Sequence, residues 1–88
     1  MDDEYVGSIC LFGFPFTPLY FLPCDGSLQQ ISQYPALYSL VGTRYGGDGK
    51  TTFALPNLAS PDGYMSYCIC CDGLYPSQDD KTKEGEDR

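Results

Sequence analysis

The sequence predicts a small α+β domain, mainly β, with short antiparallel strands, one short helix and turns rich in Gly, Pro and Asp. Three observations carry that reading. The chain has 88 residues, room for one domain with a thin core. It holds ten Gly and seven Pro, which punctuate it into short extended pieces, and eight Tyr and five Phe favour strands. Only one stretch has helical spacing of apolar residues.

Tyr5 to Phe12 reads as the first strand, with Gly7-Ser8 marking a bulge or close contact. Gly13 to Pro18 is a loop, since its two prolines forbid a continuous ladder. Tyr20-Phe21-Leu22 is a short apolar strand, and Cys24-Asp25-Gly26 after Pro23 has turn chemistry. Leu28 to Ile31 is expected to return beside it as a small hairpin. Ser32 is the expected N-cap of a helix over 33–41, with Pro35 in its first turn. Leu37, Leu40 and Val41 form its buried stripe, and Gly42 ends it. Tyr45-Gly46-Gly47-Asp48-Gly49 is a second tight turn before a strand over Thr51 to Leu55, which Pro56 ends. Ser60-Pro61-Asp62-Gly63 turns the chain into Tyr64 to Cys71, the most apolar strand. Asp72-Gly73 closes it, and Leu74-Tyr75-Pro76 packs back. The expected organisation is therefore an acidic end at 1–4, a domain at 5–77 and a charged, disordered tail at 78–88.

Composition excludes several functions. Twelve acidic against five basic residues leave a charge of −7, which repels nucleic-acid phosphates and anionic lipid. No stretch approaches the apolar length of a membrane span. Met1-Asp2-Asp3-Glu4 is the opposite of a basic signal-peptide start, so synthesis in the cytosol without a secretory signal is expected. The absence of His removes Cys–His and Ser–His nucleophile pairs. Asp25, Asp48, Asp62 and Asp72 each stand beside a Gly, where a carboxylate caps its own turn; calcium is the minor alternative. Lys50-Thr51 after Gly49 superficially matches a phosphate loop, but its glycine spacing is too short and it leads into a strand. No enzyme, cofactor or metal is expected.

The five cysteines are Cys10, Cys24, Cys68, Cys70 and Cys71. An odd number argues against a full disulfide framework, so they read first as small buried apolar side chains. Cys68, Cys70 and Cys71 are the candidates for a link between subunits. Phe12, Phe14, Phe16, Tyr20 and Phe21 crowd ten residues. They could be core, a subunit interface, or flat rings for a glycan or peptide. Phe14, Phe16, Tyr20 and Tyr45 are the candidate contact residues.

The order of these pieces resembles the phage tail collar domain, found also in microcystin-dependent proteins of bacteria. The resemblance rests on Tyr5-Val6-Gly7-Ser8-Ile9, Leu11-Phe12-Gly13-Phe14, and Pro18 and Phe21 before Cys24-Asp25-Gly26. It continues through Ile31 to Leu40, Tyr45 to Gly49 and Thr51 to Leu58, and resumes at Tyr67 to Ser77. Phe21 stands where the family usually has Trp, and Pro56-Asn57-Leu58-Ala59-Ser60 lacks the family's two arginines. Pro61-Asp62-Gly63 replaces the Gly-rich, His-containing insert of long members, leaving a minimal collar. The resemblance implies a structural or adhesive component of a phage tail, tail-like particle or surface fibre. It implies self-assembly, typically as a homotrimer, and contact with a cell-surface glycan or protein. A free bacterial binding module and a filament-forming subunit are the alternatives.

Overall fold

A computed structural model describes residues 4–77. The expected disordered tail at 78–88 and residues 1–3 of the acidic end lie outside the described residues. Six elements follow in order: β1 Ile9–Phe12, β2 Phe21–Pro23, β3 Leu28–Gln30, α1 Pro35–Val41, β4 Thr52–Ala54 and β5 Ser66–Cys70. They form a three-stranded antiparallel sheet, β1-β5-β2, and a two-stranded sheet, β3-β4. The architecture is the expected one, small antiparallel sheets with one short helix.

β5 is the most apolar strand because it lies in the middle. Neighbours on both edges bury Cys68, Ile69 and Cys70 to 1% exposure or less. The register pairs Ile9 with Ile69 and Cys10 with Cys68 on one side, and Leu22 with Ile69 and Phe21 with Cys70 on the other. Directly opposed residues share a face. Ile69 and Leu22 therefore turn to the core, while Cys10, Phe12, Phe21, Cys68 and Cys70 share the opposite face. The core is built by Ile69 with Val6, Cys24, Leu37, Phe53 and Leu55, with Leu22 packed against it.

β1 is shorter than the 5–12 stretch because Gly7 and Ser8 do form a bulge. Gly7 N donates to Cys70 O at 2.9 Å, and Cys70 N donates to Ser8 O at 2.8 Å, so two residues face one. Gly7 supplies the required left-handed backbone, with φ +94°. Tyr5 instead makes an isolated parallel bridge with Leu74, which is how the closing segment packs back. Pro23 is tolerated in β2 by its position. Cys24 N donates to Tyr67 O and Cys71 N to Tyr20 O. The even-numbered residues therefore make the ladder bonds, and Pro23 directs its missing donor to the open edge.

Two expectations need correction. β3 does not form a hairpin with β2; it pairs with β4, Gln29 opposite Phe53. Cys24 stays hydrogen-bonded to β5, and Asp25 then bridges to Asn57. Gly26 N donates to Pro56 O and Leu55 N to Ser27 O, so the chain is drawn onto the 55–57 segment. The helix starts at Pro35, not residue 33, and Tyr34 rather than Ser32 occupies the N-cap without a side-chain bond. The cause is Pro35: its ring disfavours helical geometry in the residue before it, and Tyr34 sits at φ −133°, ψ 57°. Leu37 is fully buried, and Leu40 and Val41 pack on the core as their spacing implies. Gly42 ends the helix at φ +58°, its N–H donating to Tyr38 O at 2.7 Å.

Candidate functional site

The sheet face opposite the core carries an aromatic ledge. Beyond β1 the chain keeps alternating, and its rings stack: Phe12 on Phe14 at 5.1 Å, Phe14 on Phe16 at 4.3 Å and 19° between planes. Phe21 from β2 meets Phe12 edge-on at 5.1 Å. Ser66 Oγ on β5 donates to Phe14 O at 2.9 Å, which pins this loop to the central strand. Such offset and edge contacts add roughly 0.5–1.5 kcal/mol each beyond buried area.

The loop returns through a tight turn, Phe21 N donating to Pro18 O at 3.2 Å. The turn places Tyr20 at φ +73°, a left-handed backbone that a bulky residue rarely adopts. It also thrusts Leu19 and Tyr20 outward, at 77% and 54% exposure; Phe16, before the turn, is 62% exposed. Between turn and sheet lies a cleft of about 450 Å³. It is lined by Cys10, Phe12, Pro18, Leu19, Tyr20, Phe21 and Cys70, with Glu4 and Asp72 its only charged residues.

Of the contact candidates, Phe14, Phe16 and Tyr20 belong to this one surface through Phe12 and Phe21. Tyr45 does not; it lines a separate depression of about 410 Å³ with Arg44 and Leu40. Leu19, the most exposed large apolar side chain among the described residues, and Cys10 are members that sequence reasoning missed. The alternation Ile9/Leu11 against Cys10/Phe12 was the available signal for Cys10. Nothing local marks Leu19.

The turn residues behave as backbone fasteners. Ser27 N donates to Asp25 Oδ1 at 3.0 Å, Gly26 sits at φ +81°, and Leu58 N donates to Cys24 O at 2.8 Å. In the second turn Asp48 Oδ1 accepts from Lys50 N, Thr51 N and Thr52 N at 2.8–2.9 Å. Gly46, Gly47 and Gly49 all adopt positive φ around it. Backbone donors from Thr52, Lys50 and Thr51 hold the Asp48 carboxyl well below the usual carboxylate range. Those three N–H groups are what a phosphate loop would offer a ligand, and here the chain's own carboxylate takes them. Among the described residues no three His, Cys, Asp or Glu side chains are grouped to hold a metal ion.

All five cysteines are free thiols. Cys68 and Cys70 lie at 0% and 1% exposure, so of the three intersubunit candidates only Cys71, half-buried, has surface to present. Burial pushes the Cys24 thiol up to about 11 and raises Cys71. Cys10 is raised by burial, then by Glu4 and the neighbouring Cys70 and Cys68. Its Sγ donates to Glu4 Oε1 at 3.9 Å.

The family model of the phage tail collar domain matches residues 7–64, from the bulge glycine past β4 to the turn before β5. The chain belongs to the phage tail collar domain family. That is a family of structural tail-fibre domains and not a known enzyme family, and membership implies a phage-tail location. No curated protein and no solved structure gives a significant match. No helix among the described residues is long and apolar enough to cross a membrane. The turns at Cys24-Asp25-Gly26 and Gly46–Gly49 lie within the matched segment and are the fasteners just described.

Proposed function

We propose that this collar domain assembles with copies of itself, as a homotrimer, through the aromatic ledge, and that the assembled fibre presents several copies of the domain to a host surface. One observation carries the reading: Leu19 and Tyr20 stand exposed at a cleft with a largely apolar lining, and Phe16 stands exposed on the stacked ledge beside it. Exposed apolar groups gathered around one cleft mark an interaction surface, and aromatic residues are enriched where subunits meet. A chain of net charge −7 gains nothing from spreading these rings in water, whereas a second copy would cover them. Identical copies also make any host contact multivalent, so a weak glycan or protein site on each would suffice.

Light scattering on the purified chain, with and without reductant, tests this. A closed trimer of the 9.7 kDa chain would weigh about 29 kDa in both conditions. A Phe16→Asp, Leu19→Asp double variant should run as a monomer with an unchanged circular dichroism spectrum. A wild-type monomer at high micromolar concentration would reject assembly through this face and favour the free binding module.

A further inference from the structure

Cys10 and Cys68 are register partners across β1 and β5. The ladder bond from Cys70 N to Ser8 O makes the even-numbered β1 residues the hydrogen-bonded ones. At such a position the two Cα atoms stand about 5.5 Å apart. That lies within the roughly 4.4–6.8 Å of Cα separation a disulfide spans. The Cβ atoms, about 5.5 Å apart in a hydrogen-bonded pair, must close by about 1 Å to form the bond. Both side chains leave the same face of the sheet. Cys70 also borders the cleft, but it sits diagonally from Cys10, where Cα atoms are about 7–8 Å apart, beyond ordinary bridging distance. Cys71 follows Cys70 and points to the other face, and Cys24 opposes Tyr67.

We propose that Cys10 and Cys68 are a redox pair that closes into an intrachain disulfide, clasping β1 to β5. The chemistry needs a low-molecular-weight disulfide, RSSR, as oxidant. Cys10, half-buried and lining the cleft, is the thiol it can reach. The Cys10 thiolate attacks RSSR, forms the mixed disulfide and releases RS⁻. The Cys68 thiolate then attacks Cys10 Sγ and expels the second RS⁻. Two thiols lose two protons and two electrons, and RSSR becomes two RSH. A phage tail works outside the cell, where such a bond persists. Its mechanical sense is clear: β1 is an edge strand only four residues long, joined to a partner far along the chain.

The test is treatment of the native protein with glutathione disulfide at mildly alkaline pH, followed by intact mass and tandem peptide mapping without reduction. The expected product has lost two hydrogens, carries a Cys10–Cys68 cross-link and melts at least ~5 °C higher until reduced. The Cys70→Ser variant should still form it, whereas Cys10→Ser and Cys68→Ser should not. Glutathione adducts without a cross-link, or a Cys10–Cys70 link in the wild-type map, would overturn the pairing. The wild-type map decides even where a serine variant folds poorly, and a native mass taken in parallel separates this result from the state of assembly.

Discussion

Gly47→Ala should destabilise the domain by about 2–5 kcal/mol, through backbone contact as much as through backbone angle. Gly47 adopts φ +95°, and a side chain in the left-handed region costs roughly 1–2 kcal/mol. A Cβ there would also stand 2.4 Å from Phe53 Cα and 2.6 Å from Thr52 O. Ordinary carbon–carbon contact is about 3.5–4.0 Å, so the β4 backbone must retreat by about 1 Å. Phe53 cannot retreat freely, because its ring is fully buried and packs on Tyr38 at 5.5 Å. Forced displacement in a packed core adds about 1–3 kcal/mol. Domains of this length are stable by only about 4–13 kcal/mol, so the loss would be plain in a urea titration as a lowered midpoint at constant slope. Gly63→Ala is the control: φ is +84°, but nothing lies within 4 Å of its Cβ. It should cost only the angular part, about 1–2 kcal/mol. Equal losses in the two variants would refute the steric reasoning.

Two further predictions use the same fold. Asp48→Asn should lower stability near neutral pH, because three backbone donors bind the Asp48 carboxylate. Its folded pKa is depressed below 3.8, so this stabilisation is complete above that value and fades as the pH falls through the folded pKa. Thermal melts should therefore show the gap between wild type and variant narrowing in acid, and a gap independent of pH would sink the assignment. Tyr20→Gly should be more stable than Tyr20→Ala by about 1 kcal/mol, since glycine relieves the left-handed strain and alanine keeps it. Urea midpoints of the two variants decide this; an alanine variant that is the more stable would contradict the φ of +73°.

Local chemistry made much of the architecture legible. Gly7-Ser8 announced a bulge because only glycine takes its backbone angle cheaply, and Gly42 announced the helix end for the same reason. Asp25-Gly26 and Asp48-Gly49 marked turns because a short carboxylate reaches the backbone N–H groups just after it. What could not be read were choices between distant partners. Leu28–Gln30 looks the same beside β2 as beside β4, and the decision falls to backbone bonds between residues 24–27 and 55–58. Ser32 is a good cap in isolation, but Pro35 outweighs it. At the candidate site, the run of phenylalanines drew attention to Phe14 and Phe16. Leu19 gave no signal, because a lone leucine between Pro18 and Tyr20 reads as core until the turn points it outward.

That turn also bears on why the ledge exists. A backbone at φ +73° in the third position of a turn calls for glycine or asparagine, and here it holds tyrosine. Folding alone offers no reason for the choice, since the Tyr20 ring is 54% exposed and its backbone is strained. Leu19 beside it, at 77% exposure, likewise contributes little to the core. A strained Tyr20 and an exposed Leu19, set at the mouth of an apolar cleft, are accounted for if something outside the domain covers them. In the proposed homotrimer, three copies gathered at one axis would bring their Phe16, Leu19 and Tyr20 side chains together and shield all three sets, leaving the fasteners at Asp25 and Asp48 untouched.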